Sequence, residues 1–422
     1  MKNLSFLLLA TCLLTSCGQK DQPLVSSTFI DSLLRDYTVP ALAKDNETEM
    51  QFWSGRINPA LPGYVNESRY AAGLAREFRL LGDIDSLKKS DSILQKVNSD
   101  FNDKEPSTNL SLAAHCITGH RFMQADSFLQ KAKRLGLRPY ESQTASFDLD
   151  FELGKYGAAA IELNSFRSDN DYGYFFRKSK MDHLNGSLDS AVRDLQRAAE
   201  LAGADTWLKE VAMSNTADLY IHAGDWHNAN ELYTACVRMN SADFHSLMGL
   251  GWIAFAHDHK DTLAEKIFRF VQSKTGLPDP LFKLAEMDRK EPALAFESKA
   301  TDTRYGRMYS KYLIQLYTGI LNKPALAESM AKEELNNRAT PQTYAWYAWA
   351  LFANGKKDEA YKVFTQYVSG RPLESLELYY MGKLMKGINK GYNANEFFKA
   401  AYKTRYDLSP AMQSDIRQQL ED

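Results

Sequence analysis

The residues best suited to chemistry are large aromatics and lysines that recur at helical spacing. Gln342, Ala345, Trp349 and Phe352 follow one another at three, four and three, with Trp346 beside them. His245, Met248, Trp252 and Phe255 form a comparable row, as do Leu376, Tyr379, Lys383 and Lys386. A shorter row holds Phe176, Lys180 and His183. Spacings of three and four put side chains on one helical face. A face of this kind binds rather than catalyses: each ring can bury about 150–250 Å², and cations beside rings suit an acidic segment or a carboxylate. The rival arrangement has these rings packing on a neighbouring helix of a tight superhelix.

Histidines are the other candidates. His222 and His227 flank one turn, and His257 and His259 occupy the corresponding turn further on, so stacked turns could approach metal-ligand range; solvated turn histidines are the plainer expectation. No HExxH, phosphate-cradling glycine loop or GxSxG occurs. Asp169-Asn170-Asp171 lacks the rest of a calcium loop. The sequence therefore points away from an enzyme, and no cofactor or metal is expected.

The elements that must position these rows are clearest in Pro341 to Pro372, PQTYAWYAWALFANGKKDEAYKVFTQYVSGRP. Tyr344, Tyr347, Ala348 and Leu351 share one face of a first helix; Ala360, Phe364 and Tyr367 share one face of a second. Asn354-Gly355-Lys356 is the turn between them, and Pro372 closes the unit. Small residues, aromatic, turn glycine, alanine and final proline fall in the register of the tetratricopeptide repeat, a helix–turn–helix of about 34 residues, which the stretch resembles. The resemblance extends over residues 65–405, through turn glycines at 82, 119, 154, 186 and 224, and is strongest after Gly186. Between 276 and 303 Pro278, Pro280 and Pro292 blur the period; a degenerate repeat fits the spacing, a kinked joint being the alternative. What the resemblance implies is an all-α, right-handed superhelical solenoid of stacked helix pairs, with the first helices lining a concave groove where partners bind. The groove expected to bind a partner then carries His245, Trp252, Phe255, Trp346, Trp349, Phe352, Tyr379, Lys383 and Lys386. The family's carboxylate clamp is present only in fragments and is not carried over.

Arrays need capped ends. Residues 17–64, with Phe29, Leu33 and Leu34 and then Gln51-Phe52-Trp53, are expected to form a tether and a cap over the first repeat. In 406–422, Ser409-Pro410 starts a helix whose narrow stripe Met412, Ile416 and Leu420 suits a terminal cap.

The chain has 422 residues, 44% of them hydrophobic, and a formal charge of −2, which supplies no basic field for nucleic acid. Of four cysteines, two lie in the first seventeen residues; Cys116 and Cys236 sit on apolar faces as small buried hydrophobes. Lys2 and the apolar run from Leu4 to Leu14 form a secretory signal too short to span a bilayer, which takes about 20 residues. Leu14-Thr15-Ser16-Cys17 resembles the lipobox of bacterial lipoproteins. That implies a signal peptide over 1–16, a lipidated Cys17 and a membrane anchor; Gly18 in place of Asp favours the outer membrane of a Gram-negative envelope. The expected function is a lipid-anchored scaffold that holds a protein or peptide partner at the cell envelope. The alternative is a lipoprotein that captures glycan or peptide for an outer-membrane transporter.

Overall fold

The computed structural model describes residues 22–389 and 391–421; Cys17 and the signal segment lie outside them. Two helices, α1 (Ser27–Arg35) and α2 (Ala41–Ser54), precede ten successive helix pairs. The first five are α3 (Val65–Leu81) with α4 (Ile84–Asp100), α5 (Pro106–Thr118) with α6 (Phe122–Arg134), α7 (Pro139–Glu152) with α8 (Tyr156–Ser165), α9 (Tyr172–Leu184) with α10 (Leu188–Leu201), and α11 (Thr206–Ala223) with α12 (Trp226–Met239). The sixth to eighth are α13 (Phe244–Ala256) with α14 (Asp261–Lys274), α15 (Asp279–Ala285) with α16 (Lys290–Ala300), and α17 (Ser310–Thr318) with α18 (Pro324–Asn337). Then come α19 (Pro341–Ala353) with α20 (Lys357–Val363), the latter prolonged by a π-helical turn over Phe364–Val368, and α21 (Ser375–Ile388) with α22 (Ala394–Lys403). Helix α23 (Pro410–Glu421) follows. The described residues contain no strand, and none of their helices is long and apolar enough to cross a membrane.

Local chemistry sets these boundaries. Proline occupies the first turn of α5, α7, α18 and α19, where its missing N–H costs nothing. Asp83, Asp171, Asp205, Asp225 and Asp243 cap the helices that follow them by accepting backbone N–H bonds. Within a pair, small residues let the axes approach. Ala348 and Ala360 are fully buried, with Phe364 beside them. In two other pairs a glycine stands at the contact because a ring lies on it: a Cβ on Gly251 would come within 2.4 Å of Phe268, and one on Gly382 within 2.7 Å of Phe398. Each such buried phenylalanine contributes about 2–3 kcal/mol of apolar burial. The proline-rich stretch is a shortened repeat, α15 and α16, rather than a joint: Phe282 and Phe296 are buried in the same core as Tyr309 and Tyr317.

Of the segment expected to cap the first repeat, α2 does pack on α3: Asn46 donates to the Gly73 carbonyl at 3.0 Å, and Arg76 pairs with Glu49 at 2.8 Å. Helix α1 goes elsewhere. Asp258 accepts the backbone N–H groups of Leu24 and Val25 at 2.9 and 2.8 Å, and Ile30 is fully buried in the core shared by α12, α13 and α14.

The array also closes on itself. Turns within the early pairs meet the linkers that follow the pair five places further on. The Gly276 N–H donates to the Leu81 carbonyl at 3.0 Å, and the Arg307 N–H to the Gly119 carbonyl at 3.0 Å. Asn337 spans the same seam, donating to the His120 carbonyl at 2.7 Å and accepting from the Phe122 N–H at 2.9 Å. Arg338 pairs with Glu152 at 3.3 Å, and the Tyr406 ring lies over Gly224. His222 pairs with Asp407. Most of these contacts use backbone groups, each satisfied across the seam instead of by water.

Candidate functional site

Closure changes what the concave face is. The inner faces of α11, α13, α15 and α17 line a chamber of about 1170 Å³, walled further by the C-terminal ends of α3 (Phe78, Arg79) and α9 (His183), by His120 in the turn after α5, and by Glu374 and Asp407, which lie between α-helices. His245 and Asp218 keep half and a third of their side-chain surface, and that surface faces the chamber.

Most charges in the chamber are paired. His245 Nε2 lies 2.9 Å from Asp218 Oδ2, and Tyr233 donates its hydroxyl proton to the same carboxylate. Lys283 meets Glu286 at 2.6 Å and lies 3.9 Å from the centre of the Trp252 ring. Lys311 meets Glu377 at 3.5 Å; Arg338 meets Glu334 at 3.1 Å. The negative charge of Asp218, joined by its hydrogen bond, lifts His245 to about 9, so the imidazole is a cation at neutral pH. Burial, reinforced by Asp243, pushes Glu210 up to about 8 and keeps it protonated, while Asn240 donates to it at 2.9 Å. Burial, with Arg338 nearby, pulls His120 down to about 4, a neutral ring. Tyr309 donates to Asp279 at 2.6 Å and is held far above its ordinary range, mainly by burial. The chamber thus offers fixed donors, acceptors and apolar walls such as Met248, Phe282 and Leu408.

The aromatic row does not form a free groove. Trp252, Phe255 and Trp346 are buried. Trp252 donates its indole N–H to the Tyr406 carbonyl at 3.2 Å, and Trp346 donates to Glu377 at 2.6 Å. Trp349 is half-buried: it stacks on Tyr380 at 4.8 Å and on Phe352 at 5.6 Å, and donates to Thr318 at 2.9 Å. The Phe352 ring lies against Gly387. Helix α23 folds over α21, so that Asp415 accepts from Tyr379 at 2.5 Å and pairs with Lys383 at 2.8 Å. Lys386 is exposed at the last turn of α21. Of the nine expected groove residues, only His245 and Trp252 line the chamber. The tight-superhelix arrangement is the one adopted, because later pairs and α23 cover the face that one pair alone would leave open.

The turn histidines do not converge. His227 faces Glu231 at 3.2 Å and His257 faces Asp258 at 2.8 Å; among the described residues no three metal-binding side chains cluster. Cys116 and Cys236 are buried free thiols. Sequence reasoning missed Arg79, Glu210, Lys283 and Lys311. The two lysines lie on first helices and were legible as polar breaks in apolar faces, whereas Arg79 reaches the chamber only across the seam.

No protein-family model and no curated protein matches the chain. Solved structures that it resembles include a monomeric IFIT1 mutant with Gppp-AAAA, at 13% identity and a TM-score of 0.44 over 76% of this chain and 75% of that one. A tetratricopeptide repeat protein from Parabacteroides merdae is similar at 15% identity and a TM-score of 0.30, over 67% of this chain and 98% of that one. Ten helix pairs, their first helices about 34 residues apart and small residues at every close approach, decide the fold. The chain folds as an all-α solenoid of stacked helix pairs, similar in layout to tetratricopeptide arrays. Its departure from an open solenoid lies in the seam.

Proposed function

We propose that this chain is a lipid-anchored, non-catalytic scaffold of a Gram-negative cell envelope that holds a peptide segment of a protein partner in its internal chamber. The observation that carries this reading is the chamber itself: about 1170 Å³, walled by the inner faces of first helices, with oriented polar groups between apolar patches. The lipobox-like Leu14-Thr15-Ser16-Cys17 supports anchoring at Cys17, and Gly18 supports the outer membrane. A net charge of −2 and paired cations speak against nucleic acid. The mixed apolar and polar lining favours a second reading, a solute-binding lipoprotein that takes glycan or short peptide in the same chamber.

Two experiments test this. A photo-cross-linking amino acid at Met248, inside the chamber, should join one segment of one envelope protein, and the same group at the exposed Ile161 should not. Equal labelling from both positions, or none, refutes the peptide reading; a small solute retained through native mass spectrometry favours the second. Cys17→Ala should leave uncleaved precursor and abolish incorporation of a fatty-acid analogue, and labelling that persists removes the anchor.

A further inference from the structure

Most cations that line the chamber have an acid of their own: Lys283 has Glu286, Lys311 has Glu377, Arg338 has Glu334 and Glu152, and His245 has Asp218. Arg79 does not. It ends α3, crosses toward the seam and is exposed within the chamber, where its one partner among the described residues is the ring of Trp207, 5.8 Å away. Its neighbour Arg76 is already taken by Glu49. The chamber walls around Arg79 strip part of its hydration although its surface is open to the chamber, and this desolvation, then the charge of Arg76, hold it below the ordinary arginine range, the direction expected of a guanidinium with no anion beside it. The acid one turn along α11 from Trp207 is Glu210, which burial keeps protonated, so it does not neutralise the site. A guanidinium beside an indole ring, at 5.8 Å, and free of a carboxylate has its fork of donors available to an oxyanion, which it can grip through two bonds.

We propose that Arg79, beside Trp207, is the anion subsite of the chamber, receiving a carboxylate or phosphate oxygen of the ligand. This rests on the chamber being the binding site and adds the chemical class: the guest is anionic at that end. Asn240 and Glu210, joined by their own hydrogen bond at 2.9 Å, line the same chamber and bring no competing charge to it.

The test uses the full chain in detergent and three probes: inorganic phosphate, the acetylated tripeptide Ala-Phe-Ala with a free carboxylate, and the same tripeptide as its amide. The wild type should bind the acid or phosphate at least about tenfold more tightly than the amide by calorimetry. Whichever anion is preferred identifies the source. Arg79→Met should abolish that preference, and Arg79→Lys should keep part of it, since charge survives without the fork. Melting curves show whether each variant is folded. A preference that survives in Arg79→Met, or an amide that binds the wild type as well as both anions, overturns the subsite while leaving the chamber as a binding site. Wild type that takes none of the three overturns the subsite, and the cross-link from Met248 then decides separately whether the chamber binds a partner.

Discussion

Glu210 and His245 face one interior and were pushed in the same direction for opposite reasons. Burial raises Glu210 by penalising its charged form, whereas Asp218 raises His245 by favouring its charged form. In each the folded pKa lies above the ordinary one, so the proton stabilises the fold. For Glu210 that contribution is complete below about pH 4.5 and is lost as pH rises through about 8. For His245 it is complete below about 6.5 and is lost as pH rises through about 9. Glu210→Gln keeps an acceptor for Asn240 and removes the titration. We expect the variant to match the parent at pH 4.5 and to exceed it by several kcal/mol, up to about 5, at pH 8.5. Denaturant melts at the two pH values check this; a difference that does not grow with pH would mean that Glu210 is ionised in the folded chain.

Helix α23 shows how one element converts an open face into a covered one. Ile416 is fully buried against the core of the last two pairs, and Asp415 takes both Tyr379 and Lys383. A repeat relies on its neighbour for burial, and the last has none beyond this helix. Ile416→Lys would place a charge in apolar surroundings, so α23 should undock rather than hold it. The cost is then capped at the docking energy of one helix, about 2–4 kcal/mol. Hydrogen exchange should report loss of protection in α23 and the outer face of α21, with α11 to α14 unchanged. Retained protection at α23 would show that the helix is held by something other than its apolar stripe.

The closed superhelix depends on backbones that touch. A Cβ on Gly276 would lie 2.4 Å from the Gly82 carbonyl oxygen, and one on Gly306 would lie 2.4 Å from that of Gly119. Both obstacles are backbone, which cannot swing aside as a side chain can. Gly276→Val should therefore part the seam while leaving each helix pair intact, because pairs are held by local apolar cores. Small-angle X-ray scattering should show a larger radius of gyration with an unchanged helical circular-dichroism spectrum. Superimposable scattering curves would mean that the seam does not set the overall shape, and the chamber would need another explanation.

Helix pairs, their turns and their order follow from residues within about 34 positions of one another, and these were readable without coordinates. Ala348, Ala360 and Phe364 declare a close-packed pair through 3.6-residue periodicity, and Pro341 and Gly355 mark where it starts and turns, since both act through the local backbone. Even the proline-rich α15 and α16 kept enough spacing to fit a repeat. Exposure was another matter. Trp346 and Trp349 look available when α19 is considered alone; Glu377, Tyr380 and Thr318, supplied by neighbouring pairs, take up their edges and faces. Nothing in the pattern of Ile30 says that α1 will lie on α14 rather than beside α2, because an apolar stripe specifies burial and not the surface that provides it. The seam left the weakest trace of all: its bonds run largely between peptide groups, which every residue carries, and its glycines already had a reason to be there as turns. Local periodicity thus determined an array of helix pairs, while contacts between segments more than about 180 residues apart decided that its groove would be walled on two sides as a chamber.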